Sequence, residues 1–92
     1  MGAEFHMDEI PEGMGLAAAF NQVQSQARYE HGHAGYTGTI AEADGFQEVL
    51  HPEFDTFDAA YKWAEARAEK WGPALVVSVR GGKKYFAGIY SS

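Results

Sequence analysis

Apolar and polar residues alternate near the start of the chain, with Ala3, Phe5 and Met7 on one parity and Glu4, His6 and Asp8 on the other. A period of two marks a half-buried strand. Ile10-Pro11-Glu12-Gly13 interrupts it as a turn. The period then changes: Leu16, Phe20, Val23 and Ala27 recur at helical spacing, with Asn21, Gln22, Gln24 and Gln26 on the other side. This predicts a helix over about 14–30, closed by Gly32 and Gly35. Tyr36–Glu42 has β-type composition. Asp44-Gly45 is the strongest hairpin signal, because both central positions of a type I′ turn need positive φ, and Phe46–Leu50 reads as the return strand.

A second helix follows His51-Pro52-Glu53. Asp55 or Thr56 serves as its cap, Asp58 suits its first turn, and Phe57, Ala60, Ala64, Ala68 and Trp71 form its apolar stripe up to a stop at Gly72-Pro73. Leu75–Arg80 and Lys83–Tyr90, joined by Gly81-Gly82, read as a second hairpin. The order is β-α-β-β-α-β-β, an α+β chain. Two arrangements bury these stripes: an antiparallel sheet with both helices on one face, as a ferredoxin-like variant with an added strand, or two αββ halves. Phe20, Phe46, Phe57, Trp71 and Phe86 are the expected core aromatics. Tyr61 and Trp63 do not both fit the buried stripe, so one of them is expected at the surface or in an interface. The last strand is expected at a free edge, where a second copy would pair to make a homodimer.

Composition narrows the class. Ninety-two residues, 46% of them hydrophobic and none cysteine, suit one small domain over 1–92 and exclude disulfide scaffolds, cysteine zinc sites and cysteine nucleophiles. No apolar run approaches the ~20 residues of a membrane span, and no basic stretch leads into an apolar one, so no membrane partner and a cytoplasmic location are expected. Glu4-Phe5 and His6-Met7 are also dipeptides left by common cloning sites; the alternation through residues 1–6 favours a native strand. The net charge of −6 is uneven. Residues 1–58 hold eleven acids against Arg28, a balance of −10, whereas residues 59–92 balance at +4. Such a split suits two halves that attract each other, or an acidic surface that occupies a basic partner.

The densest unusual stretch is Tyr29-Glu30-His31-Gly32-His33-Ala34-Gly35-Tyr36-Thr37-Gly38-Thr39-Ile40. Glycine allows close backbone approach, and the Thr and Tyr hydroxyls both donate and accept, so Tyr29, His31, Gly32, His33, Gly35, Tyr36, Thr37 and Thr39 are the candidate ligand-binding residues. The stretch matches neither the P-loop nor the dinucleotide fingerprint, and it follows a helix C-terminus, which repels phosphate. The plainer reading is that Gly32 and Gly35 cap and turn the chain. A metal site would join His31 and His33 to Glu30, Asp44, His51 or His6, and a hydrolase would use one histidine as base. No serine sits in a nucleophile elbow, and no complete constellation is present. No catalytic residue, metal or cofactor is therefore assigned. Arg80, Lys83, Lys84 and Tyr85 make a small basic tip, too weak for nucleic acid on a chain of this charge and better suited to guarding an edge.

Residues 27–42, Ala-Arg-Tyr-Glu-His-Gly-His-Ala-Gly-Tyr-Thr-Gly-Thr-Ile-Ala-Glu, resemble a segment of small uncharacterised proteins from tailed bacteriophages and bacteria. Those proteins also tend to begin Met-Gly-Ala and then place a Phe, as Met1-Gly2-Ala3 and Phe5 do here. The resemblance implies a phage or bacterial origin and action in the host cytoplasm; it assigns no catalytic residue. The expectation is an accessory protein that binds a protein partner or small ligand through residues 29–39. The alternative is a small metal- or histidine-dependent hydrolase or nuclease using His31 and His33.

Overall fold

The computed structural model describes residues 3–31, 40, 43, 45–68 and 72–91. They form β1 (Ala3–Glu9), α1 (Leu16–His31), β2 (Phe46–Glu48), α2 (Phe57–Arg67), β3 (Ala74–Val79) and β4 (Lys83–Ser91). The class is α+β, as the pattern predicts. The strands form one sheet in the order β1-β4-β3-β2. β4 runs antiparallel to both β1 and β3, while β2 runs parallel to β3, so the sheet is mixed and not antiparallel.

The expected first hairpin accounts for the difference. Gly45 does not adopt positive φ, which a type I′ turn at Asp44-Gly45 would demand. Its carbonyl instead accepts from the Ala74 N–H at 2.9 Å, which starts the parallel ladder of Phe46–Glu48 along Ala74–Val76. Ile40, placed in the partner strand by composition, lies in a turn whose carbonyl accepts from the Ala43 N–H at 3.0 Å. The rest of that strand, 36–39 and 41–42, lies outside the described residues. β2 is also shorter than predicted, and Leu50 stands fully exposed. The second hairpin forms as expected, with Gly81 and Gly82 at φ 100° and 87°.

The helices lie on opposite faces of the sheet, not on one. Ala74, Val76, Phe86 and Tyr90 pack with Ala19, Phe20 and Ala27 of α1. Val77, Val79 and Ala87, of the other parity, pack with Ala60 and Ala64 of α2. Chain geometry explains this. Crossovers between parallel strands are almost always right-handed. The path β1–α1–β2 crosses the sheet one way and β2–α2–β3 returns, so a common hand puts their helices on opposite sides.

The remaining differences are local. α2 begins as predicted, with the Thr56 hydroxyl accepting from the Ala59 N–H at 3.1 Å and Asp58 in the first turn. It ends at Arg67, with Ala68 already extended, short of the expected stop; Trp71 lies outside the described residues. Phe57 is 44% exposed rather than core, and packs edge-on against Tyr85. Neither Tyr61 nor Trp63 is exposed. Tyr61 meets Phe5 edge-on at 4.8 Å, and Trp63 sits beside Phe54 under the Arg67 guanidinium. β4, expected at an edge, is central; among the described residues β1 and β2 are the edges.

Candidate functional site

The last turn of α1 delivers the chain into the segment singled out above. Ala27 is buried against the sheet, so Arg28, Tyr29 and Glu30 turn outward, and Tyr29 is 86% exposed. His31 ends the helix. Gly32, His33, Gly35, Tyr36, Thr37 and Thr39 lie outside the described residues. The far end of the segment is fixed: Ile40 is only 1% exposed.

Gln24 makes that anchor. Its side-chain amide is buried in α1 and donates to the Ile40 carbonyl at 3.2 Å and to the Ala43 carbonyl at 2.8 Å. Its polarity placed Gln24 on the outer face of the helix, but its spacing did not. Phe20, Gln24 and Ala27 share one side at i, i+4 and i+7. A polar residue on an apolar stripe signals a buried hydrogen bond.

The described histidines do not converge. His6 shares the α1 side of β1 with Glu4, 3.3 Å from its carboxylate, and stacks near Tyr90. His51 lies with the opposite cluster, stacked on Phe54 at 4.1 Å, and its Nδ1–H donates to the Pro52 carbonyl at 2.7 Å. Among the described residues no three His, Asp or Glu side chains are placed to hold a metal ion.

Two polar atoms stand out on the α1 face. The Asp8 Oδ2 and the Tyr90 hydroxyl are both buried without a hydrogen-bond partner among the described residues. The Tyr90 ring lies over Gly88, where a Cβ would come within 2.7 Å of the hydroxyl. Burial raises the Asp8 carboxyl above its ordinary range, opposed by His6. Burial, with the nearby Asp8 charge, pushes the Tyr90 hydroxyl well above its usual value.

A cleft of about 430 Å³ opens beyond the carboxyl ends of β1 and β2, the usual place for ligands on a parallel sheet. Its floor is the β1–α1 turn, where Gly13 has φ +80°. Gly13-Met14-Gly15-Leu16-Ala17-Ala18 follows a strand and opens a helix, the context a G-x-G-x-x-A spacing requires and the 32–38 glycines lack. Electrostatics argue against a phosphate cradle there. Among the described residues Glu12 and Glu48 line the cleft against the amine of Lys84. The chain matches no protein-family model, no curated protein and no solved structure.

Proposed function

We propose that the protein is a small accessory binding protein that engages a partner, a protein or small ligand, through the Tyr29–Thr39 segment. The observations that carry this lie at the two described ends of the segment. α1 presents Tyr29 at 86% exposure at one end, and Gln24 fixes the buried Ile40 at the other. An exposed aromatic on a rigid helix is the kind of anchor that dominates protein interfaces, because it brings large area with little entropy to lose. The likeness of residues 27–42 to small phage and bacterial proteins supports a partner in a bacterial cytoplasm.

The test is capture from bacterial lysate with wild type, Tyr29→Ala, and the double variant Gly35→Val, Thr37→Val. Proteins retained by wild type and lost by both variants, at unchanged melting temperature, support the reading. Identical retained sets from all three remove residues 29–39 as the binding surface.

A further inference from the structure

We propose that the outer edge of β1 accepts an added strand from a partner segment that alternates basic and apolar residues. This surface is separate from residues 29–39, and the inference goes beyond the reading above. Among the described residues β1 is an edge of the sheet, and its register with β4 runs unbroken from Ala3↔Ser91 to Glu9↔Tyr85. The Ile10 N–H donates to the Lys84 carbonyl at 2.8 Å. By antiparallel alternation, Asp8, His6 and Glu4 also turn their backbone groups to β4, so Phe5, Met7 and Glu9 turn theirs outward. Natural edges are usually blunted by charged side chains, Pro or a bulge. β1 has no Pro and no bulge between Ala3 and Glu9, and its acids guard it against acidic or like strands while leaving it open to a basic one.

Side chains specify the occupant. On the α1 side the row is Glu4, His6 and Asp8, with the Glu4 side chain 59% exposed. Lys or Arg at alternate positions of an incoming strand would face these acids directly. On the other side the row holds Phe5 and Met7, both half-buried and packed on the α2 cluster, which suits apolar residues at the intervening positions. Net charge disfavours a second copy: both chains would carry −6, and in the register centred on His6 Glu4 would face Asp8 twice. Strand addition gives affinity through main-chain hydrogen bonds and specificity through alternate side chains.

The test is fluorescence anisotropy of the full chain with a labelled Lys-Val repeat peptide. Its comparators are a Glu-Val repeat and a Lys-Val peptide N-methylated at alternate residues, which keeps the charge and blocks main-chain bonding. The expected result is binding of the first peptide, weakened by about 0.5 M salt. The Glu-Val and N-methylated peptides should bind at least about tenfold more weakly. Met7→Pro should weaken the Lys-Val peptide likewise, since its N–H faces outward and is not needed by β4, whereas Tyr29→Ala should leave that binding unchanged. Equal binding of the N-methylated peptide would overturn strand addition, as would no binding of the Lys-Val peptide up to about 1 mM. A wild-type dimer in light scattering that Met7→Pro abolishes would overturn the basic partner in favour of a second copy.

Discussion

Replacing Gln24 by Ala removes one amide that serves two carbonyls. Each neutral hydrogen bond contributes about 1 kcal/mol net, and an acceptor left buried without a donor costs about 1–3 kcal/mol. Ile40 is buried, so its carbonyl cannot readily turn to water; Ala43 is half-buried and recovers some solvent. The expected loss is therefore about 2–4 kcal/mol, a large share of the ~5–15 kcal/mol typical of a domain. At roughly 4–8 °C per kcal/mol for this size, melting should fall by about 10–25 °C. Urea denaturation and calorimetry measure both quantities. Hydrogen exchange adds a local check, because the Ala43 N–H donates into the same turn and should lose protection first. Gln24→Glu should be no better near neutrality, since its carboxylate would face two carbonyl oxygens, and it should partly recover once acidified. A Gln24→Ala protein within about 0.5 kcal/mol of wild type would refute the anchor.

Gly88→Ala should cost about 1–3 kcal/mol in urea unfolding, because the new Cβ meets the buried Tyr90 ring and cannot be accommodated without moving it; a neutral result would mean the ring is free to shift. Tyr90→Phe should be neutral or stabilising, since it removes a buried hydroxyl that has no partner among the described residues; a loss of more than about 1 kcal/mol would show that the hydroxyl is satisfied. Burial raises the folded-state value of Asp8 above its unfolded one, so the native chain binds that proton more tightly, and this group's contribution to stability falls as pH rises through the folded value. Asp8→Asn should therefore gain stability near neutrality and lose that part of the decline; an unchanged pH slope contradicts this. Thr56→Ala should cost about 1 kcal/mol by circular dichroism melts and Thr56→Ser much less, whereas equal losses would point away from the hydroxyl cap.

Local periodicity was legible along most of the chain. The alternation at Ala3–Asp8, the stripe at Leu16–Ala27, the cap at Thr56 and the Gly81-Gly82 turn all have counterparts in the structure. Pairing partners were not, because they are decided by contacts between residues far apart. Asp-Gly is compatible with a hairpin, but Phe46–Glu48 gains more by lying along the apolar Ala74–Val76, which is buried on both faces only when a parallel neighbour and two helices cover it. The composition of β3 carried a hint: Ala74, Val76, Val77 and Val79 are apolar on both parities, which a sheet covered on one face does not need. The candidate site was legible as composition only. Tyr29, named only as a candidate binding residue, stands exposed at the end of α1, while Gln24 was misplaced by polarity and the β1–α1 cleft overlooked in favour of the more conspicuous glycines downstream.

The order β1-β4-β3-β2 also bears on how the chain is made. Both edges come from the acidic part, and the two strands between them from the basic part, so the charge asymmetry is a division between the rim and the middle of one sheet. During synthesis β1 emerges first, yet its partner is the last strand, with Ala3 waiting for Ser91. Most contacts of such a sheet are distant in sequence, which slows closure and leaves apolar strand residues uncovered in the nascent chain. The acids flanking Phe5 and Met7 then act as gatekeepers, keeping an unpaired strand in solution until β4 arrives.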